Sequence, residues 1–321
     1  MTQPKYRDVV KISRRGLLVA ASSAAALAAC GNDSKNAGTG STDAPTTNDA
    51  NGANDTNGAH DTTTDGTGAP SGGWAVVQRF PNYPLFTPGE ARLPVSLADA
   101  TRLLDNGPAE MKGWVEDFEG TRVAEIVGIR RSDGIPTPYW EVRATLEHAV
   151  IHTLRFEGDD GYGATFEVFD PADVLTPLTG TMLPPFDTPT EDNHRGVEPY
   201  CSLTPEPCPL HSMTLTEALA TGKPVAYMVG TPAHCTTGTC TPGLEFLVEQ
   251  HEALGDKIAM VHADVYADAE GTAVAPAVDA LKVQYEPIIY FCTADGTIVD
   301  RLDGVWDRQE LAERIEALLA R

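Results

Sequence analysis

Residues 31–73 are almost wholly Gly, Ala, Asn, Asp, Thr and Ser, with Lys35 the one lysine and no aromatic side chain. A stretch like this buries too little apolar area to offset its conformational entropy, so it is expected to be a disordered linker. The feature divides the 321-residue chain into a short N-terminal segment and a body that begins at Trp74. That body is long enough for two ordinary domains.

The chain carries 23 Lys+Arg against 46 Asp+Glu, a formal net charge of −23. A surface this acidic is repelled by a phosphate backbone, which argues against nucleic acid as a partner. It also argues against adsorption of the folded body to anionic lipid. No apolar run reaches the ~18 residues of a membrane-spanning helix.

The N-terminus reads as an address. Lys11-Ile12-Ser13-Arg14-Arg15-Gly16-Leu17-Leu18 leads into an Ala-rich apolar stretch that ends Leu27-Ala28-Ala29-Cys30. A basic start, a short apolar centre and small residues before a cut site make a signal peptide. The pair Arg14-Arg15 resembles a twin-arginine export signal, and the ending at Cys30 resembles a bacterial lipobox. The resemblance implies lipidation of Cys30 and a protein held by acyl chains on the extracytoplasmic face of the cell membrane. An uncleaved N-terminal anchor is the alternative. Residues 1–29 hold five bases and one acid, so cleavage takes the formal charge from −23 to −27.

Residues 74–180 read as a series of short strands, near 75–78, 91–95, 112–118, 121–129, 139–144, 150–156 and 165–169. Period-2 patterning with turn residues between the runs suggests an antiparallel β-sandwich of immunoglobulin-like form. The strands at 139–144 and 150–156 are expected to form a hairpin. This block carries no catalytic set, and His148 and His152 read as ordinary surface histidines.

A Pro-rich connector follows over 181–211. Outside the cytoplasm its cysteines, Cys201 and Cys208, are expected to close a small structural disulfide. From 212 the period changes and the order of elements becomes α-β-α-β-α-β-β-α. Thr214 stands three residues before Glu217, the spacing of a capping box. A parallel β-α-β half followed by a hairpin and a closing helix fits an α/β three-layer domain.

Cys235 and Cys240 fall at the turn between the first strand of this block and its second helix. A thiol at a helix N-terminus meets unpaired N–H groups and the positive end of the dipole, which stabilises the thiolate. Gly238 supplies the freedom to close the five-residue offset. The order of elements, this cysteine pair and the Glu286-Pro287 opening of the third strand resemble the thioredoxin superfamily over residues 212–321. The resemblance implies thiol–disulfide exchange, with Cys235 attacking and Cys240 resolving. It also implies a cis-proline at Pro287 beside the sulfurs and Glu286 presenting backbone to the substrate. The chain departs from the family in having four residues, not two, between the cysteines.

Two other readings of Cys235 and Cys240 stand beside this one. The first is a peroxiredoxin-like thiol peroxidase, although the family's threonine position is Pro232 here and Thr231 lies one residue further back. The second is a permanent disulfide on a non-catalytic binding module. The expected partners are exported thiol or disulfide proteins, or a redox partner. Copper chaperoning in the manner of Sco proteins needs a later histidine, and none follows His262; no cofactor and no metal ligands are assigned, and His262 and His251 read as strand and helix surface residues. Cys292, on an apolar strand, reads as a buried thiol.

Overall fold

The computed structural model describes residues 74–321. Arg14, Arg15, Cys30 and the 31–73 linker lie outside the described residues. Among the described residues, no helix is long and apolar enough to cross a membrane.

The first part is all β: β1 (Ala75–Gln78), β2 (Gly89–Arg92), β3 (Val95–Ala98), β4 (Glu110–Asp117), β5 (Arg122–Arg131), β6 (Tyr139–Glu141), β7 (Arg143–Leu146), β8 (Ile151–Phe156) and β9 (Ala164–Glu167). Antiparallel pairing is as the alternation predicts, but two facing sheets are not formed. Seven strands make a single sheet in the order β1-β3-β6-β5-β4-β8-β9, and its end strands β1 and β9 approach each other in a nearly closed barrel. Close packing across the inner face accompanies this curl. A Cβ at Gly113 would sit 2.0 Å from the Arg155 carbonyl oxygen, and one at Gly128 would sit 2.8 Å from the Phe156 ring. Glycine at these two positions lets neighbouring backbone and the Phe156 ring lie directly over the strands.

The expected hairpin at 139–156 is also absent. Val142 interrupts the run: β6 pairs with β3 and β5, whereas β7 leaves the sheet to form a two-stranded ribbon with β2. β8 pairs instead with β4 and β9. Tyr139, Trp140, Glu141 and Val142 are all buried, so this segment has no solvent face to dictate alternation.

The second part runs α1 (Leu215–Ala220), β10 (Val225–Val229), α2 (Cys240–Leu254), β11 (Ala259–Ala263), α3 (Pro276–Leu281), β12 (Ile288–Cys292), β13 (Ile298–Asp303) and α4 (Arg308–Leu319). The order matches the sequence reading. α1 begins with the Thr214–Glu217 capping box in both directions. Four strands form a sheet in the order β11-β10-β12-β13, with β10–β11 parallel and the other pairs antiparallel. Every residue of β10, β11 and β12 is buried, which is why these strands read as continuous apolar runs rather than alternating ones. Val225, Tyr227 and Val229 share one core with α1 and α3. Ala226 and Met228 share another with Leu244 and Leu247 of α2 and Leu311 and Ile315 of α4.

The connector meets both outer strands of this sheet. Ile298 donates its N–H to the Thr181 carbonyl and Gly180 donates to the Ile298 carbonyl, while His262 of β11 donates to the Leu210 carbonyl. The β-rich part packs on α4 through a charged seam that includes Arg92–Glu310, Arg131–Glu313 and Arg308–Asp133.

Candidate functional site

β10 ends at Val229, and the chain passes through Gly230 and Thr231 into one 3-10 turn, Pro232–His234, before reaching Cys235. α2 starts at Cys240, so this cysteine, placed by the sequence pattern in the turn before the helix, belongs to the helix itself. Thr239 is the N-cap residue but its side chain does not cap; its hydroxyl donates to the Gly304 carbonyl at 2.8 Å. Cys235 takes over that role. The Cys240 N–H donates to Cys235 Sγ at 3.2 Å, so a sulfur closes the start of α2. Thr237 Oγ1 lies 3.2 Å from the same sulfur and 2.7 Å from Thr239 Oγ1. Gly238 turns the chain with φ +67°, a conformation L side chains rarely adopt.

These contacts favour thiolate at Cys235. Its pKa is lowered to about 4: the Cys240 thiol hydrogen-bonding to the sulfur is the largest cause, burial opposes it, and the Thr237 hydroxyl and the N–H groups of Cys240 and Thr239 add to it. Cys240 moves the opposite way, pushed far up by the Cys235 sulfur, by burial and by the charge of Glu286. The outer sulfur is therefore the one that carries thiolate, and the inner one holds the proton.

Glu286 faces this pair with its carboxylate. Glu286 Oε2 stands 3.7 Å from Cys240 Sγ as a second acceptor for its one thiol proton, and the Thr231 N–H donates to the same oxygen. Burial raises the Glu286 pKa to about 7, against the pull of the Thr231 N–H. Beyond the backbone role that the family resemblance implies for Glu286, its carboxyl lies against Cys240. The Glu286–Pro287 peptide is cis. A Cβ at Gly230 would stand 3.2 Å from Pro287 Cβ and 3.6 Å from Cys240 Sγ, so glycine there keeps proline and sulfur close. Cys235, Cys240, Glu286 and Pro287, chosen from sequence, thus converge on one place.

Other residues near the pair do not join it. The His234 ring packs edge-on against Tyr266 and its Nε2 meets the Ala269 carbonyl at 3.0 Å. The Thr231 hydroxyl accepts the Val265 N–H at 2.7 Å, which engages it away from Cys235. Cys292 is fully buried on β12. An apolar groove of about 190 Å³, lined by Val265, Tyr266, Val274, Val278 and Tyr285, runs up to Glu286.

A second cluster was not anticipated. Cys201 and Cys208, expected to be bonded to each other, are free thiols. Their sulfurs face His262, read from sequence as a surface residue but wholly buried on β11, and His211 of the connector. Where no metal ligands were assigned, the donor atoms of Cys201, Cys208, His211 and His262 all lie within 4.8 Å of one another. Two signals were available: the short Cys208-x-x-His211 spacing, and the position of His262 inside the apolar run 258–265.

No protein-family model and no curated protein matches this chain. Among solved structures, it is similar to the C-terminal domain of a Bacteroides thetaiotaomicron protein provisionally described as a thiol-disulfide oxidoreductase. That alignment covers 44% of this chain and 97% of the other, at 12% identity and a TM-score of 0.32. A likeness this low assigns neither fold nor activity.

Proposed function

We propose that this protein is a thioredoxin-like thiol–disulfide oxidoreductase that uses Cys235 and Cys240, held outside the cytoplasm by a lipid on Cys30. The observation that carries the redox reading is the Cys235 sulfur capping α2, with proton-bearing Cys240 between it and Glu286. A low thiol pKa stabilises the reduced pair and makes its disulfide a strong oxidant. The favoured direction is therefore oxidation of a substrate dithiol. A substrate thiolate attacks Cys235 Sγ of the Cys235–Cys240 disulfide, forming a mixed disulfide and displacing Cys240 as thiolate. Glu286, half-protonated near neutrality, gives that thiolate its proton. The second substrate thiolate then attacks the first substrate sulfur and expels Cys235, whose low pKa makes it a good leaving group. The substrate leaves with one disulfide, the pair is left as a dithiol, and a partner disulfide reoxidises it. The apolar groove that runs up to Glu286 suits an extended segment of an exported protein.

Assays of dithiol oxidation, insulin reduction and peroxide consumption on Cys235→Ser and Cys240→Ser test this reading. Exchange should vanish in the first variant, and a mixed disulfide should accumulate in the second. Peroxide turnover lost in Cys235→Ser, with no exchange in the parent, would move the assignment to a thiol peroxidase. A reduction potential below about −300 mV with no turnover would leave a structural bridge. For the anchor, the Arg14-Arg15 pair and the Leu27-Ala28-Ala29-Cys30 ending support the reading; Cys30→Ala should release the protein from membranes, and unchanged retention would refute it.

A further inference from the structure

Cys201, Cys208, His211 and His262 are each no more than 3% exposed, and none takes part in the exchange just described. His211 Nδ1 lies 3.2 Å from the Pro189 carbonyl oxygen, and His262 Nε2 lies 2.8 Å from that of Gly230. A carbonyl can only accept, so those two nitrogens carry the ring protons of the neutral imidazoles. His211 Nε2 and His262 Nδ1 are then bare lone-pair atoms, yet they point at each other across 3.2 Å. Two acceptors this close, buried from water, need a cation at their junction. A single proton would reconcile the nitrogens and leave the sulfurs without a role. A metal ion satisfies all four groups.

The spacings fit one geometry. A tetrahedral Zn²⁺ with bonds of about 2.0–2.1 Å to nitrogen and about 2.3 Å to sulfur has edges of about 3.3 Å for N–N and about 3.6 Å for N–S. The distances here are 3.2 Å between the two nitrogens, and 3.6 and 3.8 Å from His262 Nδ1 to the sulfurs of Cys208 and Cys201. The outer contacts are those of a metal site as well. Each histidine donates its remote N–H to a backbone carbonyl, and Asp264 Oδ1, which lacks any hydrogen-bond partner, stands 3.5 Å from His262 Nε2. Two thiolates balance the charge of a divalent ion, which suits an apolar interior. A pocket of about 360 Å³ that reaches Cys201 and Asp264 supplies an entry path.

We infer that Cys201, Cys208, His211 and His262 form a closed, structural Zn²⁺ site that fastens the connector to β11. Four protein ligands leave no position for water or substrate, so the site holds shape rather than performing chemistry. Through the Gly230 carbonyl it also fixes the base of the loop that carries Cys235.

Zinc content of the full chain and of Cys235→Ser/Cys240→Ser tests the inference without interference from the redox pair. Both should retain one Zn²⁺ per chain after passage over a chelating resin, and Co²⁺ should give the visible absorption of a four-coordinate ion with thiolate charge transfer. Cys208→Ser and His262→Gln should retain less than a tenth of that zinc. Should these variants not fold, alkylation of the intact protein decides. Cys201 and Cys208 should react only once a chelator is added, whereas Cys235 reacts at once. A folded, metal-free chain whose unreduced peptide map links Cys201 to Cys208 would overturn the site. So would a folded Cys208→Ser that keeps its zinc, or a parent protein that retains copper and no zinc.

Discussion

Arg92 and Glu310, 218 positions apart, meet as a two-pronged ion pair with neither side chain open to water: Nε to Oε1 at 2.7 Å and Nη2 to Oε2 at 2.6 Å. The guanidinium also donates to the Val305 carbonyl at 2.6 Å, and the Tyr139 hydroxyl donates to Glu310. The pair joins a strand of the β-rich part to the last helix. Removing one partner from a buried pair strands the other charge, at a cost of about 3–5 kcal/mol, while replacing both with apolar groups is close to neutral. Arg92→Met and Glu310→Leu should each lose that much in urea unfolding, and the double variant should recover most of it. Additive losses would show that the two charges act independently.

Glu141 makes stability depend on acid. Burial works against its charged form, but the side chains of Arg143, Arg314 and Arg131 around it outweigh that and hold its pKa down at about 2. A carboxylate held below its unfolded value contributes stability above the unfolded pKa, and loses it as pH falls toward the folded one. Glu141→Gln should therefore cost roughly 3 kcal/mol at pH 7. The gap from the parent in urea melts should close between about pH 4.5 and 2. A gap that stays constant over that window would place the effect in packing.

The Cys235 thiolate is open to a direct titration. Its alkylation rate by iodoacetamide should rise through a midpoint near pH 4 in the reduced protein, against about 8.5 for an unperturbed thiol. Because the Cys240 thiol is the largest cause, Cys240→Ala should move the midpoint upward. Thr237→Val should move it less. Equal midpoints in all three proteins would point to a thiolate held by the helix N–H groups alone.

Glu286 should set the pH dependence of the exchange step. With its pKa raised to about 7, its protonated form declines as pH passes through neutrality, so the gain in rate that the growing substrate thiolate brings to oxidation of a dithiol peptide should level off there. Glu286→Gln keeps an oxygen for the Thr231 N–H but holds no transferable proton. It should lower the rate about 10²-fold, the low end for a positioned acid, and leave a profile that keeps rising through neutrality toward the substrate thiol's own pKa. A profile unchanged in shape would remove Glu286 from the proton path.

The order of elements in the second part was legible because its signals are local. The Thr214–Glu217 box and the apolar runs of β10 to β12 each declare themselves within a few residues. The site was legible for a similar reason: Cys235 and Cys240 share one turn, and Pro287 opens a strand. What escaped notice depends on distant partners. Nothing near Glu286 in sequence shows that its carboxyl reaches Cys240, 46 positions away. His262 resembles any strand histidine until His211, 51 positions earlier, is brought beside it. The barrel was misread because Gly113 and Gly128 work through rings and backbone that cross them from other strands, and alternation cannot tell one curled sheet from two flat ones.

The connector that touches both outer strands has a bearing on solubility. An edge strand with free N–H and C=O groups is a template on which another extended chain can add itself. Here Thr181 occupies part of β13's margin and Leu210 part of β11's, so the sheet arrives already hemmed. Another extended chain therefore finds these two stretches of the margin already taken.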